Sequence, residues 1–387
     1  MGIDTIPAGV FLFLRDSQVF HPDSGPNNRI SNDFRIMDRR GLLCVLEPLY
    51  NLLLRKTSIG RISMPQDAVC NLVIAVCIIG TVLCMKNGLQ CVCQKKKPNE
   101  GSGAMQSRML YNGIELPMIG YGTFQIWDSG QCEQCVAEAL AAGYRLFDTA
   151  ASYKNETAVG AALRGSGLPR EEWFVTTKLW VQDAGYDSTL RAFEASLKKL
   201  GLDYIDLYLI HQPFSDYYGA WRAMERLYQE GAVRAVGVSN FTPERLVDLC
   251  MNQEVKPMVN QIEIHPFFQQ NTALRVMEGY GVIPQAWGPF SEAQKDIFNH
   301  KTLARIAGRH GKTTAQVILR WHLQRGIPTI PKTVHKERMA ENLDVFDFEL
   351  TEKEMESIAS MNIGHSEIID HHCFCTARQL NSVKIHG

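Results

Sequence analysis

The chain has 387 residues, is 45% apolar and 21% charged, and carries a formal net charge of −1. This composition suits a globular protein of one large domain or two ordinary ones, and it excludes a general electrostatic attraction to nucleic acid or acidic lipid. The charge is uneven: residues 1–104 hold 12 Lys and Arg against 8 Asp and Glu, while residues 105–387 hold 28 against 33, so the two parts are expected to do different things.

Residues 1–104 read as an N-terminal extension. No secretory leader is evident, because the apolar run Ala8–Leu14 stops at Arg15-Asp16 with no basic segment ahead of it. Ala68–Met85 carries no charge; as a helix it would span about 27 Å against a bilayer core of about 30 Å. Lys86 and Lys95–Lys97 favour a cytoplasmic C-terminal side, while Arg55, Lys56 and Arg61 weaken that signal. Cys70, Cys77, Cys84 and Cys91 recur every seven residues, which fits a lipid-modified or cross-linked helix face or chance alone. Residues 95–104 read as a linker before Met105. Two readings stay open: a membrane anchor at 68–85 holding a cytoplasmic catalytic part, or a dispensable extension. The five cysteines after residue 104 are too sparse for a disulfide framework and fit a reducing compartment.

From residue 105 the pattern changes. Met109–Leu116 is two short apolar runs around Asn112-Gly113, a hairpin signal. Strands are expected at Ile119–Gly122, Arg145–Asp148, Phe174–Lys178, Ile205–His211, Ala235–Ser239, Met258–Ile262, Val282–Trp287 and Thr329–Ile330. Helices are expected between them at Gly130–Ala142, Asn155–Leu163, Ser188–Leu200, Ala220–Glu230, Pro243–Met251, Thr272–Tyr280 and Thr314–Gln324. Lys336–Val345 and Thr351–Met361 follow the last strand. Cys132-x-x-Cys135 falls inside the first helical pattern and reads as packing. Eight alternations in 283 residues match a (β/α)8 TIM barrel. The alternative, an open doubly wound sheet, lacks support because no Gly-x-Gly-x-x-Gly follows a strand.

In a barrel the active site lies at the C-terminal ends of the strands. The polar residues there are Asp148 with Tyr153 in the following loop, Lys178, His211, Ser239-Asn240, Gln261 and Glu263, and then Trp287. A phenol with pKa near about 10 is a poor acid at neutral pH. An ammonium beside it favours the phenolate and makes it a better proton donor. Asp148 can hold Lys178 charged and oriented, Tyr153 can be the acid, and His211 can donate to a carbonyl oxygen. With no Ser or Cys nucleophile in this group, hydride addition to a carbonyl is the expected chemistry. After the last strand, Lys332, Thr333 and Arg338 open a helix and suit phosphate, and Glu341 and Asn342 could accept from an adenine amine. Trp287 offers a face for stacking, and Asn240 and Gln261 offer amides suited to a carboxamide. Asn155-Glu156 read as a helix start without a catalytic role.

These pieces together resemble the aldo-keto reductase superfamily over residues 106–386. The resemblance is nearest to bacterial reductases similar to 2,5-diketo-gluconate and glyoxal or methylglyoxal reductases. It rests on Gly120-Tyr-Gly-Thr123, Leu146-Phe-Asp-Thr-Ala150 with Tyr153 and Asn155-Glu156, Thr177-Lys-Leu-Trp180, Leu202–His211, Gly237-Val-Ser-Asn-Phe241, Asn260–Pro266 and Ile330-Pro-Lys-Thr333. It implies a barrel with an N-terminal β-hairpin closing the bottom, working as a monomer on a small carbonyl substrate with NADPH and no metal. It makes Tyr153 the general acid, Lys178 and Asp148 its tuning pair, and His211 the carbonyl-orienting residue. Ser239, Asn240 and Gln261 resemble the carboxamide clamp, with Trp287 as the stacking residue. Lys332, Thr333 and Arg338 resemble the 2′-phosphate site, and Glu341 and Asn342 the adenine contacts. Gln212 stands where many members have Trp, and Gly288-Pro-Phe-Ser-Glu292 departs from the commoner pattern, so the substrate and pyrophosphate loops differ here. The tail Ser366–Lys384 should close over the pocket; its His371-His372-Cys373-x-Cys375 has metal-binding residue types but nothing to complete a site. The competing function is a membrane-associated, nicotinamide-sensing regulatory subunit with the same barrel.

Overall fold

The computed structural model describes residues 106–387. The 68–85 span and the 95–104 linker lie outside the described residues. Among the described residues, no helix is long and apolar enough to cross a membrane.

The chain enters through an antiparallel hairpin of β1 (Ser107–Met109) and β2 (Glu115–Pro117), with Arg108 opposite Leu116. Its turn uses both residues of the Asn-Gly signal. Gly113 adopts φ +87°, and the Asn112 Oδ1 accepts from the Ile114 N–H at 3.2 Å. Seven parallel strands follow in chain order: β3 (Tyr121–Gly122), β4 (Leu146–Asp148), β5 (Phe174–Leu179), β6 (Ile205–Ile210), β7 (Val233–Ser239), β8 (Val259–Glu263) and β9 (Ile283–Trp287).

The expected eighth strand, Thr329–Ile330, is not a strand. Thr329 alone makes parallel bridges, to Ile119 on one side and Ala286 on the other. Thr329 N–H donates to Met118 O and Gly120 N–H donates to Thr329 O, both at 2.9 Å, while Ile330 N–H reaches Ala286 O at 3.2 Å. The ring closes through these bonds. Pro328 and Pro331 flank the position and have no N–H to donate, so only their carbonyls add to the seam, accepting from Ala286 N–H at 2.8 Å and Gly122 N–H at 3.0 Å, and no regular strand forms. The closing seam is tight at two glycines. A Cβ on Gly120 would lie 2.6 Å from the Leu146 side chain, and one on Gly122 would lie 3.0 Å from Ile330 O.

Crossover helices follow the strands: α1 (Ser129–Ala142), α2 (Glu156–Gly165), α3 (Tyr186–Leu200), α4 (Tyr217–Gln229), α5 (Pro243–Asn252), α6 (Asn271–Tyr280), α7 (Lys301–His310) and α8 (Thr314–Gln324). Their ends follow local chemistry. Asp128 caps α1 by accepting from Gln131 N–H at 2.7 Å, and Gly143 ends it in the left-handed region. Thr313 and Gln316 form a reciprocal capping box on α8. Cys132 and Cys135 are buried on α1 as core residues. Three helices lie beyond the ring: α9 (Lys336–Leu343), α10 (Glu352–Ala359) and α11 (Phe374–Ser382). Helices α7 and α11 were not anticipated. Helix α7 buries Leu303, Ile306 and Ala307 at i, i+3, i+4 spacing, a stripe the sequence does carry, whereas α11 buries only Thr376 and offers little pattern.

The strands are buried on both faces, as a sheet covered by helices requires. The charged exceptions segregate by end. Asp206, at the start of β6, binds Arg170 at 2.6 Å and Arg234 at 2.8 Å and braces the bottom. Asp148 and Lys178 lie near the strand C-termini, where barrel sites are built.

Candidate active site

Lys178 is fully buried near the end of β5. Its ammonium donates to Asp148 Oδ1 at 2.5 Å, to the Thr149 carbonyl at 2.9 Å and to the Tyr153 hydroxyl at 3.3 Å. All three of its protons are therefore directed. The ammonium also lies 4.8 Å from the centroid of the Tyr153 ring. Burial works against the charge on Lys178, but Asp148 and Tyr153 more than offset it, and its pKa rises.

Tyr153 ends a one-turn 3-10 helix, Ala151–Tyr153, that departs from β4. Asn155 locks this turn in place. Its amide donates to the Thr123 carbonyl at 2.9 Å and the Ile126 carbonyl at 3.3 Å, and its Oδ1 accepts from Thr149 Oγ1 at 2.7 Å. Glu156 is buried at the start of α2 and accepts from Thr177 Oγ1 at 2.8 Å. The helix start expected at Asn155-Glu156 is there, and both side chains tie the Tyr153 loop to the barrel. Sequence reasoning missed that tie, although a Thr-rich strand end beside an Asn-Glu pair is a signal for it.

The balance at Tyr153 differs from the sequence expectation. Burial pushes the phenol above its ordinary value, Lys178 pulls it down, and Asp148 pushes it up again. The net direction is upward, because desolvation of a phenolate in a closed site outweighs one shared ammonium. The group is thus held as the protonated phenol, the form that can give a proton.

His211 follows β6, with its ring edge-on to Tyr153 at 5.5 Å and to Trp180 at 5.3 Å. Burial lowers its pKa well below the ordinary value, and Lys178 and His371 add to that. The ring is a neutral imidazole. Ser152 Oγ lies 3.3 Å from its Nδ1.

The amide residues join the same network. Gln261 donates to Asp148 Oδ2 at 2.7 Å and to Gln285 Oε1 at 2.9 Å, which leaves its own Oε1 as the free end. Asn240 sits at φ +62°, a region Asn tolerates. It donates to the His211 carbonyl at 3.0 Å and accepts from Trp287 Nε1 at 2.9 Å. Ser239 Oγ donates to the Gln261 carbonyl at 2.9 Å and accepts from Asn240 at 3.2 Å. Asp148, Tyr153, Lys178, His211, Ser239, Asn240, Gln261 and Trp287 therefore form one continuous patch. Gln285, buried on β9, was missed because a lone Gln inside a strand gives no signal of its partner.

The remaining residues form a second group. Thr333 is buried, its carbonyl accepting from Tyr121 Oη at 2.5 Å and its hydroxyl from His335 N–H at 3.1 Å. Lys332 is half-buried and Arg338 is exposed. The α9 cap residue, His335, makes no side-chain capping bond; Arg338 N–H bonds the His335 carbonyl at 3.1 Å, which leaves the Lys336 and Glu337 N–H groups at the helix start for a ligand. Glu341 accepts from Thr313 Oγ1 at 2.6 Å, and Asn342 is buried.

The tail crosses this mouth. Ser366 Oγ donates to Glu263 Oε2 at 2.6 Å, and the His371 Nε2 and Gln212 Oε1 pair at 3.0 Å. Ala377, Leu380 and Ile385 pack against Trp180, Val181 and Phe214. Among the described residues no group of three metal-ligating side chains converges.

A parallel barrel with Asp148, Lys178 and His211 buried around a half-buried Tyr153 at its C-terminal mouth has the architecture of a barrel enzyme. Residues 118–363 match the Aldo/keto reductase family. The chain is 47% identical over 254 residues to glyoxal reductase of Bacillus subtilis (strain 168), covering 65% of this chain and 91% of that protein. Among solved structures it is similar to an aldo-keto reductase from a Medee basin deep-sea metagenome library, at 45% identity and TM-score 0.66, over 68% of this chain and 100% of that one. It is also similar to a Bombyx mori aldo-keto reductase in complex with NADP, at 35% identity and TM-score 0.66, over 69% of this chain and 95% of that one. The chain belongs to the aldo/keto reductase family and is an oxidoreductase.

Proposed function

We propose that the chain reduces small aldehydes and ketones with NADPH, using Tyr153 as the general acid. The observation that carries this reading is the position of Lys178 Nζ, bonded at once to Asp148 Oδ1 at 2.5 Å and Tyr153 Oη at 3.3 Å. A nicotinamide cofactor fits the donor set. The free Oε1 of Gln261 suits a carboxamide N–H, the half-buried Trp287 indole suits stacking, and Lys332 and Arg338 beside the uncapped start of α9 suit phosphate. The bound cofactor supplies the hydride.

The protein does the rest. His211 donates a hydrogen bond to the carbonyl oxygen and sets its direction. Tyr153 passes its proton to that oxygen as negative charge grows there. Lys178, held charged by Asp148, stabilises the phenolate left behind. Burial of Asp148, Lys178 and His211, with Tyr153 half-buried at the mouth, limits water and strengthens each interaction. The Bacillus subtilis relative named for glyoxal reduction supports a small, oxygen-rich carbonyl such as methylglyoxal as the substrate class.

The test is oxidation of NADPH by the full chain with methylglyoxal. Tyr153→Phe should lower kcat by about 10²- to 10⁴-fold, while NADPH still quenches tryptophan fluorescence. A phenylalanine variant with unchanged kcat would assign the proton to another group.

A further inference from the structure

His211 can orient a carbonyl only if the ring nitrogen facing that carbonyl carries a hydrogen. The imidazole is neutral here, because burial, then Lys178 and His371, disfavour the imidazolium. One nitrogen therefore has the proton and the other does not. Which one is decided by what the second nitrogen meets.

Among the described residues, Nδ1 meets one hydrogen-bonding group, the Ser152 hydroxyl at 3.3 Å. Nε2 bonds no protein group among them, and it is not one of the sealed polar atoms left without a partner. It is the end of the ring open to a substrate. We propose that Ser152 is a positioning residue: its hydroxyl donates to His211 Nδ1, which leaves the proton on Nε2 for the substrate oxygen.

The accounting favours this arrangement. With the proton on Nε2, the Nδ1 lone pair and the Ser152 O–H satisfy each other in one bond. With the proton on Nδ1, the Ser152 O–H loses its acceptor, and an Nε2 lone pair faces the lone pairs of a carbonyl oxygen. Ser152 is also held where it must be. It is the middle residue of the 3-10 turn closed by Tyr153 N–H to the Ala150 carbonyl at 3.0 Å, and Asn155 fastens the chain on either side. The His211 backbone is fixed too, its N–H on the Leu179 carbonyl at 3.0 Å and its carbonyl on Asn240 at 3.0 Å. The residue just before the acid thus prepares the second group that touches the same substrate oxygen. The inference rests on the reductase reading for its catalytic meaning, and the hydrogen bond can be tested without it.

The experiment uses the full chain labelled with ¹⁵N-histidine, free of cofactor, with the His211 ring signals assigned by their loss in His211→Gln. The wild type should give the Nε2–H tautomer. Ser152→Ala should shift His211 to a mixture, and Ser152→Thr should restore it. In NADPH turnover, Ser152→Ala should lower kcat/KM by about 2- to 10-fold, the loss of one ordinary hydrogen bond, with NADPH affinity unchanged. An Nδ1–H tautomer in the wild type overturns the proposal, and so does a Ser152→Ala chain with unaltered tautomer or kcat/KM. The tautomer is read in cofactor-free protein, so it decides on Ser152 whatever Tyr153→Phe does to turnover.

Discussion

The corner formed by Asp148, Tyr153, Lys178 and His211 and the C-terminal strap lie at the same barrel mouth but are built in opposite ways. Asp148 and Lys178 belong to strands, Tyr153 and His211 follow strand ends, and each is tied by several bonds to backbone or buried side chains. The strap, residues 366–386, is held by scattered contacts, many of them at the surface. Among them are Ser366 on Glu263, His371 on Gln212, Trp180 Nε1 on the Val383 carbonyl at 2.9 Å and Ile385 N–H on Gln182 at 2.8 Å. Phe374, in the strap, is 79% exposed. Elements held by few buried contacts open at low cost, while a core strand opens only with the whole fold. The difference separates two jobs. Under the proposed reading the corner fixes the distances the chemistry needs, and the strap, tied to the core at fewer points, is the region expected to open first.

The largest break in this comparison comes from the corner. Lys178→Met leaves Asp148 buried and unpaired, which should destabilise the chain by about 3–5 kcal/mol and lower kcat by about 10²- to 10⁴-fold. The double variant Asp148→Asn with Lys178→Met separates the two effects. It should recover much of the lost stability, because no buried charge stands alone, and it should recover no turnover. Thermal unfolding and single-turnover kinetics on both variants check this. Turnover returning with stability would mean that the cation only props up the fold.

An intermediate effect is expected from the strap's first anchor. Ser366→Ala removes a hydroxyl that donates to the buried Glu263 carboxylate and accepts from the Ile368 and Ile369 N–H groups at 3.0 and 2.9 Å. A hydrogen bond to a charged acceptor contributes about 1.5–3 kcal/mol. Hydrogen exchange should quicken across 366–386 and stay unchanged in β5 and β6, while KM for the carbonyl rises and kcat holds. Faster exchange in the strands would show that the two regions are one cooperative unit.

Much of the corner was legible because strand ends can be counted along the chain. An alternation of apolar runs places Asp148, Lys178 and His211 at one mouth before any contact is known. Three features were less legible for physical reasons. The eighth strand was expected from its apolar residues, but Pro328 and Pro331 have no N–H to donate, so the seam is bridged at Thr329 and supplemented by single bonds from its neighbours. The direction of the Tyr153 shift depends on how much burial opposes Lys178, and burial is a property of the packed fold. The links from Gln261 to Asp148 and Gln285 join residues 113 and 24 positions apart, and no local pattern announces such a pair. The N-terminal anchor reading falls on residues outside those described.

The smallest effect concerns His371 and pH. Burial lowers its pKa from the ordinary 6.5 to about 4, chiefly by desolvation, while it bonds Gln212 as a neutral ring. In an opened strap the same histidine titrates near its ordinary value. Between the two values the open form binds the proton and the docked form does not, so docking weakens as pH falls from about 6.5 toward about 4. Above 6.5 neither form is protonated, and docking is independent of this group. At pH 6 the opened strap gains about 0.8 kcal/mol over pH 8.5 from this one titration. Exchange in 366–386, corrected for its intrinsic pH dependence, should therefore be about fourfold faster at pH 6. His371→Gln keeps an N–H for Gln212 but cannot titrate, so it should lose this dependence. If the variant keeps the full dependence, the acid sensitivity of the strap does not come from His371, and the Gln212–His371 contact is a pH-insensitive part of the pocket wall.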